Sequence, residues 1–212
     1  MTKKIQCLIS AGPTREWIDP VRFISNPSSG KMGYALAEEA VARGFHVDLV
    51  SGPVHLDLPQ GVSLHKVETA LEMEKSMLGL FEKAKFVIMT AAVCDHRPKD
   101  FWPEKRKKGE FPAQLEFVEN NDIVRTLCQN RKNGQKIVGF AAETENTSEN
   151  ARKKLVAKGL DWVAVNDVSR EDIGFMSDFN DVTLLSNSGE TISLGKDTKK
   201  QMAKKILDRV WP

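Results

Sequence analysis

Short apolar runs alternate with helix-like stretches along most of the chain, and this alternation restricts the fold more than any other feature. Residues 5–10 and 46–51 are predicted strands, and a predicted helix from about 29 to 43 lies between them. Residues 86–90 are continuously apolar, which is typical of a strand buried on both faces of a parallel sheet. The strand–helix–strand order therefore predicts an α/β fold with a mostly parallel sheet and a right-handed crossover.

The rest of the chain continues this alternation, without internal repeats or low-complexity tracts. Gly44 and Gly159 are expected to end two helices, Gly44 as a left-handed cap, and Thr147 or Ser148 is expected to cap the second helix. Residues 18–22 are expected to continue an ordered loop. The further predicted elements are strands at 62–67, 115–118, 136–142 and 160–165, a C-terminal β-hairpin at 182–185 and 191–194, and helices at 70–83, 121–130 and 198–210.

The composition restricts the class of protein. A chain of 212 residues fits one domain over residues 1–212, large enough for a self-sufficient core. Charged residues make up 28% of the chain and the net charge is +2, so we expect a soluble globular protein without an overall field for nucleic acid. The three scattered cysteines argue against disulfides and a zinc site and favour the reducing cytoplasm. The apolar run at residues 5–10 is too short for a secretory signal or a membrane span.

Residues 22–33 form a polar, glycine-containing loop before the first predicted helix. Its end would present main-chain N–H groups and the positive end of the helix dipole to a ligand above the sheet. We therefore predict a phosphate or nucleotide site, with an ordinary strand-to-helix connection as the alternative. The spacing matches neither a Walker A loop nor the G-x-G-x-x-G dinucleotide fingerprint. The residues of this phosphate loop are Ser28, Ser29, Gly30, Lys31, Met32 and Gly33.

Two predicted strands end in small residues, at 91–95 and at 139–144. Small residues allow a ligand to approach the main chain, and open α/β sheets bind ligands at the carboxyl ends of their strands. The two strand ends could lie side by side. Asp95 is therefore a candidate for the site, with a loop-capping role as the alternative.

Lys154 and Lys158 are four residues apart and therefore lie on one face of a predicted helix. Such a pair is slightly unfavourable by itself, and the Asn at position 150 cannot relieve it. A bound triphosphate would make the pair favourable, whereas a chance surface pair is the alternative.

Residues 96–112 combine three prolines and a glycine with six basic residues, which makes a regular element unexpected there. A segment of this length inside a compact domain is typically a lid or disordered. One interpretation is a solvated basic loop. The other is a mobile flap whose lysines close over an anionic substrate, with Phe101 and Trp102 packing the closed form.

Six motifs occur together in this chain. They are S-A-G-P-T at 10–14, I-D-P-V-R at 18–22, I-S-N-P-S-S-G-K-M-G at 24–33, A-A-V-C-D at 91–95, V-G-F-A-A-E-T at 138–144 and N-D-V at 166–168. They resemble the phosphopantothenate–cysteine ligases, also called phosphopantothenoylcysteine synthetases, in the order found in that family. The resemblance runs from Ile5 to about Arg209. It implies a Rossmann-like three-layer sandwich and a homodimer joined through the C-terminal β segment.

The resemblance also implies a two-step ligation in coenzyme A biosynthesis. The carboxylate of 4′-phosphopantothenate would attack the α-phosphate of CTP, releasing pyrophosphate and forming an acyl-cytidylate. The amine of L-cysteine would then displace CMP. Bacterial members of the family prefer CTP and eukaryotic members use ATP. Mg²⁺ is expected to arrive with the triphosphate, without a protein metal site. A flavin is not expected, because the chain begins at the first strand of the ligase.

Particular residues match the functional positions of the family. Asn26 is similar to the Asn that contacts the acyl-nucleotide intermediate, and Lys105 is similar to the flap lysine that closes over it. The positions that match nucleotide-binding residues are Ala92, Asp95, Lys105, Asp122, Ile123, Val124, Arg125, Phe140, Lys154 and Lys158. The chain departs from the common family pattern at Pro13, Cys94 and Asn121, where Gly, Ala and Pro are usual.

Two other functions share some of these features. A nucleotide-dependent oxidoreductase would have a similar fold, but the dinucleotide fingerprint is absent. A nucleic-acid-binding module would use the basic residues of 97–108, but these are confined to one loop and no recognition motif accompanies them. The sequence therefore favours a ligase that acts on small molecules, without nucleic-acid or membrane partners.

Overall fold

We analysed a computed structural model, which describes residues 4–143, 147–167, 173–174 and 176–211. The strands are β1 (Gln6–Ala11), β2 (Arg15–Asp19), β3 (Arg22–Ser25), β4 (His46–Ser51), β5 (Val62–Lys66), β6 (Phe86–Met89), β7 (His96–Pro98), β8 (Phe117–Glu119), β9 (Lys136–Glu143), β10 (Trp162–Asp167), β11 (Phe179–Ser186) and β12 (Thr191–Thr198). The helices are α1 (Lys31–Ala42), α2 (Ala70–Phe81), α3 (Ile123–Gln129), α4 (Thr147–Lys158) and α5 (Lys199–Val210).

Eight of the strands form one sheet in the order β12-β11-β10-β9-β6-β1-β4-β5. The six strands from β10 to β5 in this order run parallel, and β11 and β12 add an antiparallel hairpin at one edge. The α/β prediction, the mostly parallel sheet and the C-terminal hairpin are thus confirmed. The chain moves outward from β1 through β4 to β5 and then returns to β6 on the other side of β1. The carboxyl ends of β1 and β6 therefore flank the point where the strand order reverses, which is the usual ligand position in such sheets.

Helices cover both faces of the sheet and give the three layers. The helices α1 and α5 pack on one face, where side chains such as Ile9, Leu36 and Met202 are fully buried. The helices α2, α3 and α4 pack on the other face, around side chains such as Leu8 and Met73. Leu8 and Ile9 are neighbours in β1 and enter opposite layers because successive side chains of a strand point to opposite faces. This two-sided burial explains the continuous apolar character of the central strands.

The expectation of a loop at residues 18–22 was wrong, because β2 and β3 pair there as an antiparallel hairpin. The Asp19 carboxylate accepts hydrogen bonds from the main-chain N–H groups of Val21 and Arg22, both at 2.9 Å. These bonds close a tight turn that includes Pro20. The charged residues of β2 and β3 are typical of a solvent-exposed segment, so the sequence did not indicate a hairpin there. Glu16 and Asp19 are nevertheless buried and accept hydrogen bonds from main-chain N–H groups.

The segment predicted to be irregular at 96–112 begins with a short strand, since β7 pairs antiparallel with β8. Residues 99–116 between them contain no strand or helix, and we call this segment the flap. The predicted strand at 115–118 is displaced to Phe117–Glu119. Gly44 and Gly159 follow α1 and α4 with φ angles of 85° and 72°, which confirms both predicted helix ends. The predicted cap of α4 falls on side chains outside the described residues.

Within the described ranges, no helix has the length and apolar character that a bilayer crossing requires.

Candidate functional site

The predicted phosphate loop lies over the carboxyl ends of β1 and β6. Gly30 precedes α1 in the left-handed conformation, with φ of 76°, and its N–H group donates to the Ser28 Oγ at 3.3 Å. A Cβ atom at Gly33 would lie 2.5 Å from the Ala11 Cβ and 2.6 Å from the Thr90 Oγ1. Only glycine therefore allows the first turn of α1 to sit this close to the two strand ends. The helix N-terminus is directed to the sheet edge where open α/β proteins bind ligands.

Asn26 connects this loop to the exit of β6. Its side-chain amide nitrogen donates to the main-chain oxygen atoms of Ala92 and Val93, both at 3.1 Å. The same exit is held from β1, since the Ala92 N–H donates to the Gly12 oxygen at 2.9 Å. Asn26 therefore fixes the main chain between the loop and Asp95. In this state both amide hydrogens point to protein oxygen atoms, so a contact with a phosphate would replace one of them.

A cleft of about 500 Å³ opens beside Asn26, over the ends of β6 and β9. Its walls come from the exit of β6, the start of α3 and one side of α4. The residues predicted for the nucleotide site that line it are Asp95, Asp122, Ile123, Val124, Phe140, Lys154 and Lys158. Ala92 lies between the lining residues Ala91 and Val93, and Arg125 follows the lining part of α3. Most of the predicted nucleotide residues thus share one concave surface.

A larger cavity of about 650 Å³ lies elsewhere, at the ends of β4 and β5. Tyr34, His55 and Lys66 are among its lining residues, and it includes none of the predicted site residues. We assign the candidate site to the smaller cleft, because it joins the phosphate loop through Asn26 and carries the paired lysines.

The lysine pair is relieved by an acid that the sequence analysis did not foresee. The Lys158 ammonium group lies 2.9 Å from a carboxylate oxygen of Asp122. The other carboxylate oxygen of Asp122 accepts from the Arg125 N–H at 3.0 Å and caps α3. The acid comes from the start of α3 and not from position 150 of the same helix, so spacing along one helix could not reveal it. A polyphosphate in the cleft would compete with Asp122 for Lys158.

Asn120 is a residue that sequence reasoning missed. Its main-chain N–H donates to the Asp95 oxygen at 2.8 Å, and its side-chain amide donates to the Cys94 oxygen at 2.9 Å. Its own side-chain oxygen accepts from Arg97 at 2.9 Å. Asn120 therefore holds the backbone that carries the Asp95 side chain. The only sequence signal was an Asn directly before the predicted cap of α3.

Cys94 lies beneath the site but is not a candidate nucleophile. Its side chain is buried, and burial raises the pKa of the thiol. The negative charges of Glu16 and Asp95 add to this effect, and hydrogen bonds with Thr14 and Asn26 oppose it. The thiol therefore stays protonated near neutral pH, which leaves it without the reactive thiolate form.

The structure does not bring Lys105 to the cleft. This residue is exposed in the flap, where it borders a separate concavity of about 710 Å³ with Arg22, Arg106 and Phe111. The proximity of the flap to the β2–β3 hairpin explains the position, because the Trp102 N–H donates to the Ile18 oxygen at 3.0 Å. The role predicted for Lys105 therefore requires the flap to move.

Lys31 of the phosphate loop pairs with Asp178, at 2.5 Å. The neighbouring Lys199 is buried, and its ammonium group donates to the main-chain oxygen atoms of Gly174 and Ser177. Burial lowers the pKa of Lys199 to about 8, with help from the positive charge of Lys31 and opposition from Asp178. These contacts join the start of α1 to the start of α5.

The described residues contain no group of three or more His, Cys, Asp and Glu side chains placed to hold a metal ion. Three acidic residues line the cleft, Asp95, Glu119 and Asp122, but they do not converge into such a group. A Mg²⁺ ion that arrives with phosphates needs only one or two carboxylates.

Comparisons with known proteins agree with this architecture. The coenzyme A biosynthesis bifunctional protein CoaBC of Bacillus subtilis is 44% identical over 204 residues, which cover 96% of this chain and 50% of that protein. The crystal structure of a C-terminal domain of CoaBC is 42% identical, with a TM-score of 0.82, and the alignment covers 97% of this chain and 93% of that one. A Cab2 variant in complex with phosphopantothenate-cysteine shares the fold at 17% identity, with a TM-score of 0.75, over 97% of this chain and 86% of that one.

The chain spans about half the length of the curated relatives that it matches. A family model described as the DNA/pantothenate metabolism flavoprotein C-terminal domain matches residues 2–212, nearly the whole sequence. The chain therefore belongs to the family of DNA/pantothenate metabolism flavoprotein C-terminal domains.

Proposed function

We propose that this protein ligates 4′-phosphopantothenate and L-cysteine in coenzyme A biosynthesis, through an acyl-cytidylate. The observation that supports it best is the position of Asn26, whose amide joins the phosphate loop to the floor of the cleft. A reaction between a carboxylate and a nucleotide needs both anions side by side, and these two sites meet at Asn26. The membership in a family with coenzyme A biosynthesis proteins supports the same substrates.

In the first step, the substrate carboxylate attacks the α-phosphate of CTP, a P–O bond forms, and pyrophosphate leaves. Lys154 and Lys158 lie on the wall of the cleft, where their charges can stabilise the polyphosphate. The amides at the start of α1 supply further donors for phosphate oxygen atoms. Asn26 turns one N–H group from the cleft floor to the acyl phosphate as negative charge develops there.

In the second step, the amine of L-cysteine attacks the activated carbonyl carbon. The new C–N bond replaces the bond to the phosphate oxygen, the nitrogen loses a proton, and CMP leaves. We propose that the flap moves from the hairpin to the cleft and that Lys105 then stabilises the acyl-cytidylate. Water is excluded from the closed site, which protects this reactive intermediate from hydrolysis.

We propose CTP as the preferred nucleotide and Mg²⁺ as the ion that accompanies it, with ATP as the alternative. The start of α3 and the ring of Phe140 line the cleft at the position that we assign to the base.

We also propose a homodimer joined through the C-terminal β segment. This fits the place of β12 at one end of the strand order, where its outer edge has no partner strand in the described part of the chain. We assign the reaction to the cytoplasm, where free cysteines such as Cys7 and Cys94 stay reduced.

The direct test supplies phosphopantothenate, cysteine, Mg²⁺ and either CTP or ATP, and follows pyrophosphate release. We expect release with CTP that depends on phosphopantothenate. If neither nucleotide yields pyrophosphate, the proposal is wrong. Thermal stability measured with NADPH addresses the oxidoreductase alternative, for which a rise in Tm would be required. Sedimentation of the purified chain tests the dimer.

A further inference from the structure

Asp19 sits at the end of β2 with its side chain fully removed from solvent. One carboxylate oxygen accepts from the N–H groups of Val21 and Arg22 and closes the hairpin turn. The second oxygen faces the flap, where it accepts from the main-chain N–H of Arg106 at 3.4 Å. The Arg22 Nε lies 3.5 Å from this second oxygen. The two oxygen atoms thus serve two different segments.

The hairpin also binds the other main-chain polar group of Arg106. The Arg22 Nη2 donates to the Arg106 oxygen at 2.6 Å. Both the N–H and the carbonyl of this flap residue therefore contact the β2–β3 turn. Because consecutive Cα atoms are about 3.8 Å apart, whatever fixes Arg106 also restricts Lys105.

Ring contacts add to these hydrogen bonds between the β2–β3 hairpin and the flap, which together we call the junction. The Arg22 guanidinium lies over the Phe111 ring at 4.3 Å, and the Arg106 guanidinium lies over the Trp102 ring at 5.0 Å. Trp102 and Phe111 meet edge to face, with their centroids 6.0 Å apart. These contacts bring two parts of the flap together at the place where the β2–β3 hairpin binds it.

Asp19 has the charge that this junction needs. Burial alone would raise the pKa of its carboxyl group, but the N–H groups of Val21, Arg22 and Arg106 and the charge of Arg22 lower it. The side chain is therefore an acceptor-only carboxylate at neutral pH. An asparagine could keep one oxygen on the hairpin turn, but its amide nitrogen would then face the Arg106 N–H and the Arg22 Nε, which are both donors.

We infer that Asp19 is a positioning residue for Lys105, which sets the place and mobility of the flap through the main chain of Arg106. The inference rests on the proposed ligation and adds a residue outside the cleft to it. The recorded bonds of Asp19 go to residues 21, 22 and 106, which lie outside both the cleft lining and residues 28–33 of the phosphate loop. Its effect should therefore appear only in the step that uses the flap. Nucleotide binding to the cleft should not depend on it.

The test compares the wild type with Asp19→Asn. Trypsin cleavage after the flap residues Lys105–Lys108 reports the junction, and single-turnover assays separate acyl-cytidylate formation from its conversion to product. In Asp19→Asn, we expect flap cleavage to rise by about tenfold to a hundredfold, the range for one lost hydrogen bond to a charged group. Intermediate should form at the normal rate and accumulate, because the step that uses Lys105 is slowed, and the Kd for CTP should be unchanged.

Two further variants make the test specific. Glu116→Gln removes a charge at the base of the flap, where Glu116 pairs with Lys99 at 2.7 Å, and should change neither cleavage nor accumulation. Phe111→Leu removes the flap ring that the Arg22 guanidinium covers, so it should also raise flap cleavage and let the intermediate accumulate. It replaces Asp19→Asn as the test variant if Asp19→Asn does not fold.

The outcomes separate the two ideas. Unchanged flap cleavage in a folded Asp19→Asn overturns the inference, and so does faster cleavage with normal product formation. If Asp19→Asn does not fold, unchanged cleavage in Phe111→Leu overturns it. A wild type that releases no pyrophosphate defeats the proposed function and the role of Lys105 with it. A wild type that turns over beside an indistinguishable Asp19→Asn overturns the inference about Asp19 alone.

Discussion

The carboxylate of Asp122 lies 2.9 Å from the Lys158 ammonium group and, through its other oxygen, caps α3. One side chain therefore joins α3 to α4 across a wall of the cleft. The pair is partly exposed, at 29% for Lys158 and 39% for Asp122, so its own contribution to stability is about 0.2–1 kcal/mol. Such a weak pair can be exchanged for a phosphate at little cost.

Lys158→Ala should weaken CTP binding by about tenfold or more, because it removes a charged donor on the wall of the cleft. The matched control is Lys153→Ala on the same helix, where Lys153 pairs with Glu149 at 2.7 Å and is 70% exposed. This control should leave the Kd unchanged. Isothermal titration with CTP and Mg²⁺ provides the measurement. Equal effects of the two variants would mean that the helix contributes only general charge.

Asn26→Ala and Lys105→Gln should fail at different steps. Loss of the Asn26 amide removes the two bonds to the cleft floor and a donor for the acyl phosphate, so acyl-cytidylate formation should fall by about 10²–10³. Lys105→Gln should form the intermediate and stall before product. Rapid quenching with separation of the labelled nucleotides distinguishes the two. Normal turnover of Lys105→Gln would contradict the role of the flap.

Gly33→Ala should destabilise the protein by about 1–3 kcal/mol, because the new Cβ overlaps Ala11 and Thr90 at the strand ends. Gly79→Ala is the matched control. It lies in α2, where an added Cβ meets nothing within 4 Å, and should stabilise by about 0.4–1 kcal/mol. Urea unfolding of both variants gives the free energies. A stable Gly33→Ala with normal CTP binding would show that the close approach is dispensable.

The buried Lys199 should make stability depend on alkaline pH. Its pKa is lowered to about 8 in the folded protein, whereas an unfolded lysine titrates near 10.4. Between these two values the unfolded chain binds more protons, so the free energy of unfolding should rise with pH there. Below pH 8 Lys199 is protonated in both the folded and the unfolded protein, so its contribution to the free energy of unfolding is constant.

The reference for the Lys199 prediction is Lys199→Met, which removes this titration and keeps the other lysines. The wild type should gain stability relative to Lys199→Met from pH 8 to pH 10 in urea unfolding experiments. A flat difference over this range would mean that the bonds to Gly174 and Ser177 hold the ammonium form.

The sheet was predictable because its central strands are buried on both faces and therefore appear as continuous apolar runs. The β2–β3 hairpin was not, because its buried carboxylates look like surface residues in the sequence. Glu16 is only 2% exposed and accepts from the Ala70 N–H at the start of α2, at 2.9 Å. Asp19 satisfies three main-chain N–H groups in the same way. Partners that come from other elements cannot be inferred from local periodicity.

The candidate site was likewise predictable from the sequence only in part. Residues at strand ends and helix starts, such as Asp95 and Ile123, could be placed at one edge of the sheet because parallel strands all end there. The contact between Lys158 and Asp122 depends on how two helices pack, and the position of Lys105 depends on where the flap rests. Packing angles and loop positions are set by the whole fold, so sequence patterns could not give them.

Asn26 binds main-chain oxygen atoms, and this choice of partner affects how the protein can vary. Exchanges of the side chains at positions 92 and 93 leave both acceptor atoms in place. An insertion or deletion of one residue between Met89 and Val93 would instead carry them out of reach. The floor of the cleft is thus tolerant of changes in residue type and intolerant of changes in length.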